Sequence, residues 1–577
     1  MNIANKRCES YYAKSINNYL SALPVFARAL GKIHSVRTDD LYWEPIIGPW
    51  LLHFSSIYIS RIDNTHSSVP GNNADQVDYS LATSPEKCYG WSQLITTFAS
   101  DSFKDRLISQ YRVIHSGSVI ATSDVNNLHE EPQNKVLERV LQRVTSIMRR
   151  KAVILDGLIT FLLFFLSQAI YRQNAILVDS SQLSLKLKIE IFRKSLGRIA
   201  PTPTVNIRDL KNYFKRKPGC DLAFRSRLKS LIDFPCDVEH RTFIEVALLN
   251  LPIVHLEDFD RIRKLAKQLF SSRPSVLYLS ISHYFDEVLK CAIGEWSSQG
   301  TRLVVGQHGA GYGLYRFSTY EYFDLRSATV FLTWGWSDGT KKTAILPSIR
   351  LSIFVKHKYR CRKSHGYFMY VCSALPNFYG ETFNFSPEDG YLKDRARTSF
   401  INECPKHLKK KICVRPYPVN STAFGSYDVS IFEKAGFEIR DDESHYIAYS
   451  CAQLLIFEGL STGFFEALAI DTPCVLYMPG IDNILWSDLG IDFESLIRRA
   501  NILMKSEREL ISLLEQDVDS WFNSSEYVHC RKELVKRFAL TSTKFIDEFV
   551  SKLLRVSAGK LHEHCDDSIV ASIHNES

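Results

Sequence analysis

Short runs of apolar residues alternate with segments of helical periodicity from about residue 275 onward. Strands buried in a parallel sheet, with helices on both faces, appear in sequence as such continuous runs of Val, Leu and Ile. The pattern therefore predicts a first series of strands at residues 275–280, 301–305 and 329–333. A further run at 175–179 predicts one strand upstream, and much of 190–270 reads as helical.

A basic, aperiodic stretch at residues 356–363 interrupts this pattern, which then starts again. The second series predicts strands at residues 366–372, 411–414, 437–440, 454–457 and 474–478. We therefore predict an α/β fold of two Rossmann-like domains with a largely helical N-terminal extension. The expected domains are 1–355 and 356–556, followed by a disordered tail at 557–577.

The most hydrophobic run of the chain lies at residues 158–170, LITFLLFFLSQAI. This run is too short to span a bilayer, which needs about 20 apolar residues. We expect a helix buried in the protein, with a helix on a membrane surface as the alternative.

Composition excludes several classes of protein. Thirteen cysteines at irregular spacing, without a CxxC pair, argue against a disulfide framework and against a structural zinc site, so reduced thiols in the cytoplasm are expected. The net charge of +8 is not concentrated in a basic stripe with interleaved aromatic residues, so we expect no nucleic-acid partner. The N-terminus carries no signal-peptide core.

The segment Glu458-Gly-Leu-Ser-Thr-Gly-Phe-Phe-Glu466 lies between two predicted strands. A helix that begins at Ser461, Thr462 and Gly463 would leave backbone N–H groups to bind a phosphate. Glu466, one turn later on the same face, could accept hydrogen bonds from a ribose. The alternative is an ordinary N-cap with a carboxylate that complements the helix dipole.

A glycine-rich loop, Gly306-Gln-His-Gly-Ala-Gly-Tyr-Gly313, follows the predicted strand 301–305 directly. Glycines let the backbone approach a ligand, and a histidine in such a loop could act as a general base or contact a phosphate. The loop is neither a Walker motif nor a GxGxxG motif. We predict His308 as the catalytic candidate, with loop or substrate contacts from Gln307, Gly309, Gly311 and Tyr312.

Two further strand ends carry candidate binding residues. Trp334 and Trp336, around Gly335, could form a sugar or base platform or could pack beneath the sheet. Arg415, followed by prolines that restrict the turn, suits a phosphate or carboxylate clamp, and a surface arginine is the alternative.

Glu44 is the second catalytic candidate, because it stands in an apolar setting between Trp43 and Pro45. Burial would raise the pKa of its carboxyl and suit it to base chemistry. Equally, Glu44 could cap a helix that begins near Pro45. No acidic pair stands in a strand-end loop, so we expect no metal and no cofactor other than the nucleotide-sugar substrate.

Three motifs together resemble a family of bacterial transferases associated with O-antigen and other surface-polysaccharide loci. They are Tyr42-Trp-Glu-Pro-Ile-Ile-Gly-Pro-Trp50, the loop Gly306–Gly313 and Thr333-Trp-Gly-Trp336, and the resemblance runs from about residue 40 to about 545. The C-terminal half is also similar to the nucleotide-binding half of GT-B glycosyltransferases, and to sialyl- and Kdo-type transferases that use CMP-sugars. Those enzymes carry a His-Pro pair where this chain has Tyr417-Pro418.

The resemblance implies a GT-B-like fold whose two domains face a cleft, with domain 1–355 on the acceptor side and domain 356–556 binding the nucleotide sugar. It also implies a metal-independent glycosyltransferase that moves a sugar to an O-antigen, lipopolysaccharide or capsule acceptor, lipid-linked or in lipopolysaccharide. The donor stays open between CMP-, UDP- and dTDP-sugars. A cytoplasmic location is expected, with peripheral contact at the inner face of the membrane. A nucleotide-sugar epimerase and a non-catalytic protein that binds glycan or lipid are the alternative functions.

Overall fold

A computed structural model of the chain describes residues 3–66, 101–115, 138–203, 220–357, 366–373, 387–417, 429–441, 444–479 and 484–560. The predicted tail at 557–577 therefore lies largely outside the described residues.

The first sheet has six parallel strands in the order β2-β1-β3-β4-β5-β6. Its strands are β1 Ile176–Val178, β2 Ile199–Pro201, β3 Val276–Leu279, β4 Arg302–Gly306, β5 Val330–Thr333 and β6 Thr343–Ile345. All strands run the same way, so the loops after them open at one edge of the sheet. The strands predicted at 175–179, 275–280, 301–305 and 329–333 are confirmed, whereas β2 and β6 were not predicted.

The second sheet also has six parallel strands, in the order β12-β11-β10-β7-β8-β9. Its strands are β7 Phe368–Val371, β8 Ile412–Arg415, β9 Glu438–Ile439, β10 Leu454–Phe457, β11 Cys474–Tyr477 and β12 Leu503–Met504. This is the Rossmann order, in which the direction of winding reverses between β7 and β10. All five strands predicted here are confirmed.

Helices cover the faces of both sheets and form the N-terminal region. In chain order they are α1 Ile3–Ile33, α2 Asp40–His66, α3 Asp101–His115, α4 Glu138–Tyr171, α5 Leu185–Lys194, α6 Leu222–Ser230, α7 Val238–Leu249, α8 Phe259–Leu269, α9 Ser282–Phe285, α10 Glu287–Ser297, α11 Thr319–Ser327, α12 Ile349–Lys356, α13 Pro387–Glu403, α14 Lys406–Lys409, α15 Ser430–Lys434, α16 His445–Cys451, α17 Thr462–Ala469, α18 Asp488–Arg499, α19 Glu507–Glu515, α20 Val518–Phe522, α21 Ser525–Phe538 and α22 Phe545–Ser557.

The N-terminal helices α1 and α2 pack together and then against α10 of the first domain. Their contact is filled by large aromatic rings that are almost completely buried, including Trp43 and Trp50. The fold class is therefore the predicted one, two Rossmann-like α/β domains of GT-B type with a helical N-terminal region.

The last helix, α22, packs on the first sheet although it follows the second domain in sequence. Phe545, Phe549 and Leu553 lie in one buried cluster with Val276 of β3 and Val304 of β4. The C-terminal segment therefore crosses back between the domains, so residues 545–556, assigned by sequence to the second domain, belong spatially to the first.

The expectation of a buried helix at residues 158–170 is wrong. These residues form the C-terminal half of α4, and the side chains of Leu158 and Leu162 are 64% and 56% exposed. The helix lies at the β2 edge of the first sheet, where only one of its faces meets the protein. Periodicity alone did not reveal this, because apolar residues surround most of the helix.

Nine of the described cysteines are free thiols. Cys451 is disulfide-bonded, contrary to the expectation that all thiols are reduced.

Candidate active site

The glycine-rich loop after β4 meets the start of α17 across the boundary between the domains. A Cβ atom placed on Gly309 would lie 3.7 Å from Oγ1 of Thr462. The two segments that sequence analysis singled out independently are therefore neighbours in space. The candidate site lies in this interdomain cleft.

His308 is connected to a buried carboxylate through a tyrosine. The hydroxyl of Tyr312 donates to Oδ2 of Asp324 at 2.8 Å and lies 3.1 Å from Nδ1 of His308. Because that hydroxyl proton is used on the carboxylate, the phenol oxygen can accept the Nδ1–H of the imidazole. This tautomer leaves Nε2 of His308 without a proton and able to accept one.

Asp324 lies on α11 and is completely buried. Its Oδ1 also accepts the hydroxyl of Tyr284 at 2.7 Å and lies 2.8 Å from Nε2 of His283. A carboxylate with several donors is held in one orientation, so it also holds Tyr312. Sequence analysis missed Asp324, because eighteen positions of chain separate it from the loop's first glycine.

Burial lowers the pKa of His308 from 6.5 to about 4, although the carboxylate of Asp324 acts in the opposite direction. The positive charge of Arg350 contributes to the lowering. His308 is therefore neutral at physiological pH, the state that a general base requires.

Gln307, Trp334 and Trp336 hold the glycine-rich loop in place and do not face the cleft. Oε1 of Gln307 accepts the backbone N–H of Trp334 at 3.1 Å and the indole N–H of Trp336 at 2.9 Å, and its amide donates to Gly309 O at 3.0 Å. Both indoles are buried. Of the two arrangements expected from sequence, the structure shows the tryptophans packed inside the protein, and they do not form an exposed platform.

Gly335 explains why the two tryptophans flank a glycine. Its φ is +124°, and a Cβ there would lie 2.5 Å from the backbone oxygen of Lys536. The chain that returns to the first domain passes against this turn, and the N–H of Leu540 donates to Trp334 O at 2.9 Å. The motif therefore forms the junction with the crossing segment.

The end of the glycine-rich loop joins the second domain directly. Gly311 has φ +91°, and a Cβ there would collide with the ring of Tyr315. Tyr315 forms an antiparallel bridge with Trp486, and their rings stack at 5.6 Å. The loop thus helps to set the relative position of the domains.

On the donor side, α17 begins at the switch point of the second sheet. Ser461 is the N-cap residue, but its side chain makes no capping hydrogen bond. The side chain of Ser461 therefore leaves the first N–H groups of α17 available, as an anion site requires. Gly463 is required for space, because a Cβ there would lie 2.8 Å from the hydroxyl of Tyr449.

Glu466 is buried and accepts a hydrogen bond of 2.8 Å at Oε1 from Nε of Arg350. Burial raises the pKa of this carboxyl, and Arg350 lowers it in part. Arg350 belongs to α12, at the end of the first domain, and its side chain is 44% exposed. Sequence analysis did not find Arg350, because nothing in the chain around α12 marks it.

Arg415 lies at the end of β8, on the same side of the second domain. Its charge and that of Arg350 both lower the pKa of His445, which burial brings to about 4. Both arginines also act on Tyr449, whose hydroxyl lies near Gly463. Both cations therefore act on side chains near the start of α17, and His445 is neutral at physiological pH.

A buried ion pair supports this region and was not predicted. Nε and Nη2 of Arg397 donate to the two oxygens of Glu458 at 2.7 and 2.8 Å. The second oxygen of Glu458 also accepts the N–H of Ser373 at 2.9 Å, which joins the loops after β7 and β10. Glu458 thus positions the loop that leads into Ser461.

The equivalent crevice of the first sheet is filled by Asp179 at the end of β1. Its Oδ2 accepts the N–H groups of Ser280, Ile281 and Ser282 at 3.0–3.1 Å. Burial alone would raise the pKa of Asp179, but hydrogen bonds from Ser282 and Ser181 lower it. Asp179 therefore fills the crevice between β1 and β3, and the His308 loop after β4 is the candidate site of the first domain.

Glu44 does not join His308. The carboxylate accepts the hydroxyl of Tyr19 at 2.5 Å and pairs with Nε of Arg326. It does not cap a helix at Pro45 either, since α2 begins at Asp40 and Oδ1 of Asp39 accepts the N–H of Tyr42. Glu44 instead ties the N-terminal helices to α11.

Glu321 is a titratable group beside the loop that sequence analysis missed. Its Oε2 accepts the N–H of Gly313 at 3.0 Å, and burial raises its pKa to about 7. Among the described residues, no group of three His, Cys, Asp or Glu side chains is placed to hold a metal ion.

A family model described as "LIC12162 family transferase" matches residues 4–554. No curated protein matches the sequence significantly. Among solved structures, the wall teichoic acid polymerase TagF is 12% identical over 74% of this chain and 100% of its own, with a TM-score of 0.35. The spinosyn rhamnosyltransferase SpnG is 10% identical over 70% of this chain and 100% of its own, with a TM-score of 0.27. At TM-scores this low, neither similarity defines the reaction of this chain.

Proposed function

Because the chain belongs to the LIC12162 family of transferases, we propose that it is a glycosyltransferase that moves a sugar from a nucleotide-sugar donor to a surface-polysaccharide acceptor. The acceptor would be an O-antigen, lipopolysaccharide or capsule glycan, and the site would be cytoplasmic. The observation that carries the proposal is the approach of the His308 loop to the start of α17. Arg350 is bonded to Glu466 of α17, and its charge also acts on His308.

The donor binds in the second domain under this proposal. Its phosphate accepts hydrogen bonds from the N–H groups at Ser461, Thr462 and Gly463, while Arg350 and Arg415 balance its charge. Glu466 holds Arg350 through Nε, which leaves the terminal NH₂ groups of the guanidinium to bind the phosphate. Glu466 thereby gains a positioning role besides the ribose contact expected from sequence.

The acceptor hydroxyl lies next to His308. Its oxygen attacks the anomeric carbon of the donor sugar, its proton passes to Nε2 of His308, and the bond from the anomeric carbon to the phosphate oxygen breaks. The electron pair leaves with the nucleotide phosphate, whose charge is stabilised by fixed N–H groups and arginines. Such preorganised donors are usually the largest contribution to catalysis.

The test is thermal unfolding of the full-length protein with CMP, UDP, GDP and dTDP and with their sugars. A ligand present at a hundredfold excess over its Kd stabilises the native state by about 2.7 kcal/mol. We expect one nucleotide series to raise the melting temperature selectively, and Glu466→Ala to abolish the shift.

Glu494→Ala is the matched control, because Glu494 pairs with Arg498 on the surface of α18. This variant should keep the shift. The absence of a shift with every nucleotide, or an equal shift in Glu466→Ala, would contradict the donor assignment.

A further inference from the structure

The C-terminal half of α4 presents its apolar side to solvent. Between Val153 and Ile170 the most exposed residues carry no polar side chain, and Asp156 is half-buried. The exposed residues are Val153, Ile154, Leu155, Gly157, Leu158, Phe161, Leu162, Phe165, Leu166, Ala169 and Ile170. Soluble proteins rarely expose a continuous apolar surface of this kind without a partner. The segment Val153–Asn174 is also long and apolar enough, by length and composition, to cross a membrane.

The polar side chains of the same segment bond to the protein: Thr160 and Ser167 are buried, and Asp156 is half-buried. Asp156 accepts two hydrogen bonds from Nζ of Lys188, at 2.7 and 3.0 Å, and Lys188 also donates to Thr160 at 3.2 Å. Further along, the hydroxyl of Ser167 donates to the backbone oxygen of Arg198 at 3.3 Å. The inward side also carries the apolar side chains of Leu163 and Phe164, so the helix lacks the polar outer face that is usual for a surface helix.

The apolar surface continues onto the neighbouring turn. Leu196, at a φ of +53°, is 84% exposed, and its backbone oxygen accepts the hydroxyl of Tyr171 at 2.8 Å. Ile189 on α5 is also exposed. The apolar surface is therefore formed by two helices and a turn, and we call it the α4 face.

Basic residues lie near both ends of the α4 face along the chain. Arg149-Arg150-Lys151 precede Val153 in sequence, and Arg172 and Arg193 are exposed near the other end. Anionic lipid head groups attract such residues, while acyl chains accept the apolar side chains between them. A contact with a second protein usually carries polar groups for hydrogen bonds, and the one partly exposed polar side chain of 153–170, Asp156, is already paired with Lys188.

We propose that the α4 face lies in the interfacial layer of a bilayer that contains anionic lipid. The helix lies in the plane of the membrane and does not cross it, because Asp156 and Ser167 hold its other side on the first domain. The eighteen residues from 153 to 170 would extend along the surface for about 27 Å.

The orientation has a consequence that rests on the proposed function. Lys188 lies in the second turn of α5, which follows the carboxyl end of β1, so its partner Asp156 lies towards the same edge of the sheet. Tyr171 lies at the opposite edge. The basic start of the α4 face is thus on the edge where His308 stands, which suits an acceptor anchored in the same membrane.

The test is flotation of the purified full-length protein with vesicles of phosphatidylcholine alone and with added phosphatidylglycerol. We expect binding to the anionic vesicles, and at least a tenfold weaker partition for the double variant Leu158→Glu/Leu162→Glu. The control is Val238→Glu/Ile491→Glu, whose parent side chains are each 57% exposed on other helices. The control should partition like the native protein.

Melting curves and nucleotide shifts verify that both variants fold. A further variant, Leu162→Trp, should show fluorescence quenching by brominated lipid. Unchanged partition of the Leu158→Glu/Leu162→Glu variant, or no flotation of the native protein, would overturn the proposal. If the native protein is a dimer without lipid and the Leu158→Glu/Leu162→Glu variant is a monomer, the membrane proposal is overturned. The α4 face would then be covered by a second copy of the chain. The nucleotide shifts are independent of lipid, so failure of the donor assignment would be seen separately.

Discussion

Nε of Arg350 donates a hydrogen bond of 2.8 Å to Oε1 of Glu466, and this contact joins the helix that ends the first domain to the helix that would bind the donor phosphate. The carboxylate is almost completely buried, while the arginine is partly exposed. The buried carboxylate therefore fixes the position of Arg350, whose guanidinium supplies a positive charge to the cleft.

Variants of Arg350 and Glu466 distinguish the contribution of Arg350 to stability from its contribution to nucleotide binding. Arg350→Met leaves the Glu466 carboxylate buried without its cation, so we expect a loss of about 2 kcal/mol in the free energy of unfolding and loss of nucleotide binding. Arg350→Met/Glu466→Met should recover the stability, because no buried charge remains, but not the binding. Urea unfolding and titration with the nucleotide that shifts the native protein measure the two effects. Recovery of binding in the double variant would contradict the role of Arg350.

The acidity of His308 predicts an unusual pH profile. If His308 is the base, the acidic limb of kcat/KM should lie near pH 4 and not near 6.5, because its pKa is lowered to about 4. The lowered pKa also makes the free energy of unfolding depend on pH. Below pH 6.5 the imidazole of His308 takes up a proton in the unfolded chain but not in the folded chain. The contribution of His308 to stability is therefore lost as the pH falls from 6.5 towards 4.

The variants His308→Ala and Tyr312→Phe test this assignment by their effect on kcat. Loss of a general base typically costs 10²–10⁴-fold in rate, and we expect a smaller loss when only the hydroxyl that orients it is removed. Tyr477→Phe is the control, since it removes a buried hydroxyl that donates to Ala396 O in the second domain. A limb near pH 7 that disappears in Glu321→Gln would identify Glu321 as the titrating group instead.

Gly463 is predicted to exclude any side chain. In Gly463→Ala the new methyl would lie 2.8 Å from the hydroxyl of Tyr449 and 3.1 Å from the ring of Phe457, so we expect a loss of about 1–3 kcal/mol in stability and weaker nucleotide binding. Gly463→Ala/Tyr449→Phe should recover part of both, because the closest atom is removed. Gly157→Ala is the control, because a Cβ there meets no atom within 4 Å on an exposed helix. Gly436→Ala would not serve, because Gly436 has a φ of +89°. Equal effects at Gly157 and Gly463 would contradict the steric explanation.

The Arg397–Glu458 pair is predicted to be a major stabilising contact of the second domain. Arg397→Met leaves a buried carboxylate without its two guanidinium donors, and we expect a loss of about 3–5 kcal/mol, measured by urea unfolding. The same change at Arg498, whose partner Glu494 is on the surface, should cost about 0.5 kcal/mol or less. Similar losses in the two variants would show that burial does not decide the contribution of this pair.

Most strands could be read from the sequence because each is a short, continuous apolar run between polar loops. The strands β2, β6 and β12 were missed because each is an edge strand of two or three residues whose apolar signal is brief. The helix α4 was located correctly but its exposure was not, since an apolar run predicts burial against protein as readily as against lipid.

The sequence by itself determined the two parallel α/β domains, the glycine-rich loop with His308 and the helix start at Ser461, because these depend on local patterns of apolar residues, glycines and turns. Only the tertiary structure decided what each side chain meets. It buried Trp334 and Trp336, paired Glu44 with Arg326, and linked His308 through Tyr312 to Asp324. It also brought Arg350 to Glu466, residues 116 positions apart. Hydrogen bonds and ion pairs act over a few ångströms, so their partners are set by how the sheets and helices pack and not by spacing along the chain.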